Sequence, residues 1–230
     1  MTRLGSARII PVMRSVFIVD DHPIVRRGLV DLIANEPDLA VCGEAADAKS
    51  AIEQITALHP DLVLLDLSLG SVYEGFEVIG QIRDRVPTVR IIVSSMHDEA
   101  LYAERALRMG ASGYVGKHES PETLLAAIRK VFAGAVAVSG DIANRLLKNA
   151  VGQRGDTKGT ARLSQREFEV FVLIGRGQGT REIAGQLGVS AKTIETHRAR
   201  IKDKLGITSA TELVTSAVRF QLEQQGEGRR

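Results

Sequence analysis

The chain has 230 residues, 44% of them hydrophobic and 25% charged, which excludes disordered and fibrous classes and leaves room for two folded domains. One cysteine, Cys42, cannot form an internal disulfide, and the lack of a CxxC or Cys/His cluster argues against zinc; Cys42 is expected to be a core thiol. The net charge of +2 hides an asymmetry: residues 1–148 carry 16 Lys/Arg against 19 Asp/Glu, whereas residues 160–230 carry 12 against 8, so a basic rear module could face phosphate.

No apolar stretch is long enough to span a bilayer, and residues 1–14, expected to form a loose tail, lack a signal-peptide core. A cytoplasmic location with no membrane partner is therefore expected. Val16 to Val19 is a short apolar run ending in Asp20 and Asp21, and Pro23 opens a helix with Val25, Leu29, Leu32 and Ile33 at helical spacing. Leu39 to Cys42 reads as a second strand, and Ala48 to Leu58 as a second helix. Pro60 then introduces Leu62-Val63-Leu64-Leu65, branched apolar residues without helical periodicity that read as a strand buried on both faces and closed by Asp66. A helix through Phe76, Val78, Ile79 and Ile82 must stop before Pro87. Ile91 to Val93 makes a fourth strand ending at Ser94 and Ser95, and a helix from Ala100 to Met109 is closed by Gly110. Gly113 to Gly116 is a fifth strand ending at Lys117, and Ser120-Pro121-Glu122 caps and opens a fifth helix.

Five alternating strands and helices imply a parallel sheet covered on both faces. In the flavodoxin-like strand order 2-1-3-4-5, Asp20, Asp21 and Asp66 converge at the switch point. Three carboxylates in one crevice repel, and a hard divalent cation with oxygen ligands relieves that repulsion; Mg²⁺ also takes phosphate oxygens, so the site suits phosphoryl chemistry. Lys117 and Ser95 can then supply a charge and a hydrogen bond to an oxyanion built on Asp66. Singly, each residue reads equally well as a turn, cap or solvated loop residue; their shared sheet edge is what favours a site.

Residues 15 to about 135 resemble the receiver domain of two-component response regulators, through Val19-Asp20-Asp21-His22-Pro23, Leu65-Asp66, Ser95-Met96-His97-Asp98, and Gly110-Ala111-Ser112-Gly113-Tyr114 with Lys117. The resemblance implies that Asp66 is the phosphoacceptor, served by a sensor histidine kinase. It also implies that Asp20, Asp21, Asp66 and the Ser68 carbonyl hold Mg²⁺, that Ser95 and Lys117 bind the phosphate, and that Tyr114 is the switch aromatic. One departure is visible: the family commonly has a proline four residues after the acceptor and a glycine four further on. Here Gly70 takes the proline position and Gly75 lies nine residues beyond Asp66, so the loop Ser68 to Glu74 is expected to be looser and one residue longer.

Val138 to Leu147 has helical character, and Asn149 to Thr160 is polar with three glycines; residues 138–160 read as a linker containing a flexible tether. Ser164 and Glu167 form a capping box before an apolar helix face of Phe168, Phe171, Val172 and Ile174. Gly175 to Gly179 looks like a phosphate loop but follows a helix, so it reads as a turn. Thr180 is expected to cap a short helix through Ile183, Ala184 and Leu187, and Ser190 a third helix, Ala191 to Leu205, after the turn Gly188-Val189-Ser190. Two helices joined by a glycine-containing turn, the second basic, are the helix-turn-helix signature. At 100 degrees per residue Ile194, His197, Ile201 and Leu205 face inward. Lys192, Glu195 and Thr196 then lie near base edges in a major groove, with Arg198, Arg200 and Lys202 near phosphates.

Residues 162 to 222 closely resemble the LuxR-type DNA-binding domain. The matching residues are Leu163-Ser164-x-Arg166-Glu167, Glu182-Ile183-Ala184, Val189-Ser190-x-Lys192-Thr193-Ile194-Glu195-Thr196-His197 and Lys204-Leu205-Gly206. This resemblance adds Thr193 to the DNA-contacting set and implies a fourth, dimerising helix from Thr208 to Phe220 with Leu213, Val214, Ala217 and Phe220 on its apolar face. The order of the two resemblances is that of the NarL/FixJ class: a receiver over residues 15–137 and a four-helix DNA-binding domain over 161–225. A phosphorylation-controlled regulator of transcription is expected, not an enzyme. Its expected partners are double-stranded promoter DNA, a sensor kinase, a second copy when phosphorylated, and RNA polymerase. The competing readings are a constitutive DNA-binding protein whose receiver only dimerises, and an aspartyl phosphatase; the latter wants a second acid where Ser68 stands.

Overall fold

Short apolar runs alternating with amphipathic stretches give, in the computed structural model, five strands of four to seven residues: β1 (Arg14–Val19), β2 (Leu39–Ala45), β3 (Leu62–Leu65), β4 (Arg90–Ser95) and β5 (Gly113–Gly116). Each is followed by a helix: α1 (Pro23–Ala34), α2 (Ala48–Leu58), α3 (Val72–Arg85), α4 (Glu99–Arg108) and α5 (Pro121–Phe132). The structure describes residues 13–69, 72–96, 99–150, 157–160 and 162–226. All strand pairs are parallel in the order β2-β1-β3-β4-β5. β3 pairs on both sides, which is why its four residues are all apolar and all buried.

Alternation along β1 divides the core. Val16 and Ile18 pack with Ile33 of α1 and Leu124, Leu125 and Ile128 of α5, while Phe17 and Val19 pack with Ile52 and Ile55 of α2 and with α3. Asp47 and Ser120 cap α2 and α5 by accepting from the backbone N–H groups of Ser50 and Thr123. Two predicted strands are longer than expected: β1 begins at Arg14, and β2 runs to Ala45 because its register with β1 shifts between Val16 and Phe17 and then continues. Cys42 sits in this edge strand, half-buried rather than in the core; burial pushes its thiol pKa up.

The opposite edge is covered by the chain's own return. The Tyr114 N–H donates to the Ala137 carbonyl at 2.7 Å and the Ala137 N–H to the Ser112 carbonyl at 3.1 Å, so the segment after α5 pairs with β5 and caps it. Helix α6 (Gly140–Ala150) follows, with the Ser139 N–H donating to Glu99 at 2.9 Å and Ile142 buried. The expected tether is shorter than its composition suggested. Asn149 and Ala150 end α6, and Thr157–Thr160 form the helical turn α7, while residues 151–156 lie outside the described residues.

The rear domain contains α8 (Gln165–Gly175), α9 (Thr180–Gln186), α10 (Ala191–Leu205) and α11 (Ala210–Gly226). α11 starts two residues later than expected and extends past Phe220; Leu213 and Ala217 are buried, but Val214 is exposed, off the inward stripe. The domains touch through α3, which packs on α8, and through α4. Tyr102 meets Phe168 edge-on at 6.0 Å, Phe168 meets Phe220 at 5.8 Å, and the Arg105 guanidinium lies 4.6 Å from the Phe168 ring centroid while donating to the Leu163 carbonyl at 2.8 Å.

Candidate functional site

The strand order brings the ends of β1 and β3 side by side, and the ladder continues past both strands: the Asp66 N–H donates to the Val19 carbonyl at 2.8 Å and the Asp20 N–H to the Ala45 carbonyl at 3.1 Å. Asp20 and Asp66 are buried, and Lys117, arriving at the end of β5, reaches both. Its Nζ lies 2.7 Å from Asp20 Oδ2 and 2.6 Å from Asp66 Oδ2. Burial opposes the ammonium charge, but the two carboxylates more than offset it and hold the Lys117 pKa above the ordinary lysine range. Ser95 and Tyr114 are both fully enclosed, Tyr114 with its ring turned inward, and the Lys117 N–H donates to the Ser95 carbonyl at 2.9 Å.

The donor set suits a hard cation. Ligand atoms of Asp20, Asp21, His22 and Asp66 lie within 4.8 Å of one another, and Asp21 Oδ1 is a buried oxygen that accepts no hydrogen bond, although the His22 Nδ1 is 2.7 Å away. A buried carboxylate oxygen left without a donor is what a cation would satisfy. Ser68, expected to offer its carbonyl, donates its N–H to Asp66 Oδ1 at 3.0 Å, so the turn after β3 fixes the Asp66 rotamer. Sequence reading missed two members. His22 donates its N–H to Asp20 Oδ1 at 2.8 Å, and Arg26 donates to the Asp20 carbonyl at 2.7 Å from the first turn of α1. Their signal was position: both follow Asp20 closely at the start of a helix that must point back over the strand end.

The helix after Asp66 starts earlier than expected. α3 begins at Val72, inside the stretch read as a loop, while Gly70 and Ser71 lie outside the described residues. A Cβ at Gly75 would stand 2.4 Å from the Leu67 carbonyl oxygen and 2.5 Å from its Cα, so the helix rests directly on the backbone next to Asp66.

In the rear domain, Ser164 and Glu167 form the expected capping box, and Ser190 accepts from the Thr193 N–H at 3.1 Å. The turn between α9 and α10 needs Gly188, whose φ is +64. Thr180 is not the cap of α9: Gly179 holds that position, its N–H donating to Glu182 at 2.7 Å, and Thr180 is the first helical residue. On α10, Ile194 and Ile201 are buried, and Lys192, Glu195, Thr196 and Arg200 are exposed on the opposite side. Three DNA-contacting candidates are less free than expected. The Thr193 hydroxyl is 2.8 Å from the Ser190 hydroxyl, Lys202 is half-buried, and the Arg198 side chain keeps only 16% of its exposure. Glu167 and Lys204 form an inward ion pair at 2.7 Å that ties α8 to the end of α10.

His197 packs inward as expected, with Nδ1 buried and unpartnered. Burial, then the charges of Arg166 and Arg200 against the opposing pull of Glu167, lowers its pKa. The fold therefore prefers neutral imidazole, and this stabilisation is complete above the unfolded value near 6.5 and is lost as pH falls through it toward the lower folded value. Thermal unfolding from pH 7.5 to 5 should show His197→Gln losing less stability over the acidic half of that range than the unsubstituted chain. Parallel profiles would show that His197 does not carry the dependence.

The family model for the response regulator receiver domain matches residues 16–129, and that for bacterial regulatory proteins of the luxR family matches residues 161–217. The oxygen regulatory protein NreC of Staphylococcus aureus strain MRSA252 is 36% identical over 212 residues, 90% of this chain and 98% of that protein. A LuxR-family two-component response regulator from Aurantimonas sp. SI85-9A1 is 40% identical over 60% of this chain and 99% of its own, with a TM-score of 0.55. RcsB from Salmonella enterica serovar Typhimurium, solved bound to the rprA promoter with the phosphomimetic BeF3-, is 29% identical over 88% of this chain and 97% of its own, with a TM-score of 0.58. The chain belongs to the two-component response regulators of the NarL/FixJ class, with a receiver domain followed by a LuxR-type domain. Among the described residues no helix is long and apolar enough to cross a membrane.

Proposed function

We propose that this chain is a cytoplasmic regulator of transcription that accepts a phosphoryl group on Asp66 from a sensor histidine kinase and, as a homodimer, binds double-stranded promoter DNA. The observation that carries this reading is the sharing of the Lys117 ammonium by Asp20 and Asp66 at 2.7 and 2.6 Å, on a chain that also carries a capped basic helix-turn-helix. An Asp66 oxygen attacks phosphorus as the bond from phosphorus to the kinase imidazole nitrogen breaks, and the electron pair returns to that imidazole. Lys117 and the Ser95 hydroxyl then hold the phosphoryl oxygens. Mg²⁺, held by Asp20, Asp21, Asp66 and the Ser68 carbonyl, would neutralise charge developing on those oxygens. The acceptor is a side chain of the protein itself, so there is no turnover of an external substrate.

Filling the Asp66 pocket engages Ser95 at the end of β4 and Tyr114 on β5, and Tyr114 is bonded through its backbone to Ala137 ahead of α6. That continuous path gives the phosphate a route to the segment joining the domains. The competing reading, a constitutive DNA-binding protein, rests on a loosened loop after Asp66, and the close contact of Gly75 with Leu67 argues against loosening where α3 meets the strand end. RNA polymerase remains the partner that a promoter-bound dimer would meet.

The test is DNA affinity of the full chain with and without acetyl phosphate and Mg²⁺. Affinity should rise by about five- to 150-fold, the usual range of coupling between two sites. Asp66→Asn should remove both that rise and acid-labile labelling. Labelling that persists in Asp66→Asn would rule out this acceptor, and affinity indifferent to the phosphodonor would favour the constitutive reading.

A further inference from the structure

An acid on the reading face of α10 needs a reason. A helix in the major groove lies between two rows of phosphates, whose field disfavours a carboxylate. Glu195 is nevertheless exposed there, with 61% of its side-chain surface open. The nearest cation is no remedy: the Arg198 Nε is 4.0 Å away, at the limit of ion pairing. Glu195 is also not loose. Its Oε1 accepts a 2.6 Å hydrogen bond from the hydroxyl of Thr180, the first residue of α9, so the bond crosses from one helix of the helix-turn-helix to the other. Among the described residues no donor reaches the second oxygen, Oε2.

A fixed carboxylate with one free oxygen can accept but cannot donate. In the major groove only the N4 amino group of cytosine and the N6 amino group of adenine donate, and adenine places the N7 acceptor beside its donor. A carboxylate facing adenine would meet that acceptor; facing cytosine it would not. We propose that Glu195, positioned by Thr180, selects cytosine at one position of each DNA half-site. The inference rests on the DNA-binding reading above and deepens it by assigning one base preference to one residue. Thr180 is here a positioning residue, which accounts for its hydroxyl being directed across the turn and not into a cap.

The bland alternative is that the Thr180–Glu195 bond only fixes the angle between α9 and α10. Glu195→Gln separates the two roles. A glutamine keeps an oxygen for the Thr180 hydroxyl, but its amide adds donors that suit the N6/N7 edge of adenine. The experiment selects binding sites from randomised duplex DNA with the full chain, acetyl phosphate and Mg²⁺. Thermal unfolding checks that Glu195→Gln and Thr180→Val remain folded. The unsubstituted chain should enrich cytosine at one position per half-site. In Glu195→Gln the ratio of cytosine to the other bases there should fall by at least about fivefold, with adenine gaining and other positions unchanged. Thr180→Val should weaken the same preference and no other. If Glu195→Gln enriches the same motif as the unsubstituted chain, the carboxylate only ties the helices and the proposal is overturned. If the unsubstituted chain enriches no motif, sequence-specific DNA binding itself fails, and this assignment with it.

Discussion

Lys117→Met should destabilise the protein by about 3–5 kcal/mol in the presence of a chelator, because removing one partner of a buried charge cluster leaves the others uncompensated. The variant keeps the length and much of the volume of the side chain but leaves Asp20 Oδ2 and Asp66 Oδ2 facing a point that no longer holds a positive charge. Both carboxylates are almost fully buried, so water cannot replace the ammonium cheaply. A divalent cation can. In the unsubstituted chain a bound Mg²⁺ would share the acidic oxygens with Lys117, whereas in Lys117→Met it would be the main counter-charge, so stabilisation by Mg²⁺ through mass action should be larger in the variant. Urea denaturation followed by circular dichroism, in EDTA and in millimolar Mg²⁺, measures both effects. An equal response to Mg²⁺ in the two proteins would mean that Lys117 does not compensate the acceptor pocket.

The centre of the pocket was legible in the sequence because Asp20, Asp66 and Lys117 each follow the last residue of a short strand-forming run. Asp66 after Leu62 to Leu65 and Lys117 after Gly113 to Gly116 are forced to one edge of a parallel sheet whatever the details of the helices. What the sequence concealed is local and non-periodic. The start of α3 inside the loop after Asp66 depends on Gly75 resting against Leu67, a contact that no spacing rule anticipates when the glycine is displaced by one residue. The extra pairing of Ala137 with β5 involves a single bridge, too short to leave any alternating pattern. On α10 the inward stripe followed directly from helical geometry, and Ile194 and Ile201 are buried accordingly. The engagement of Thr180 with Glu195, by contrast, depends on the angle between two helices, which only tertiary packing determines.

Arg105→Ala should separate the unfolding of the two domains. Arg105 projects from α4 of the receiver into the rear domain, where its guanidinium stacks over Phe168 and donates to the Leu163 carbonyl. Burial pushes its pKa down to about 10, so it still carries its charge at neutral pH. A cation–π contact of about 0.5–2 kcal/mol and a charged hydrogen bond of about 1.5–3 kcal/mol are both lost, and Leu163 keeps a carbonyl without that donor. The remaining contact includes the edge-on packing of Tyr102 on Phe168, which lies against Phe220 of α11, and the packing of α3 on α8. With a loss of about 2–5 kcal/mol, the docked arrangement would give way to one in which each domain unfolds with its own cooperativity. Calorimetry should resolve two transitions in Arg105→Ala where the unsubstituted chain shows one, and small-angle scattering should show a larger radius of gyration. Arg108→Ala is the control. It lies one turn further along α4, and its partner is Glu104 on the same helix at 2.6 Å, an exposed pair worth about 0–1 kcal/mol. Splitting in both variants would trace the effect to α4 itself, and splitting in neither would mean that Arg105 does not hold the domains together.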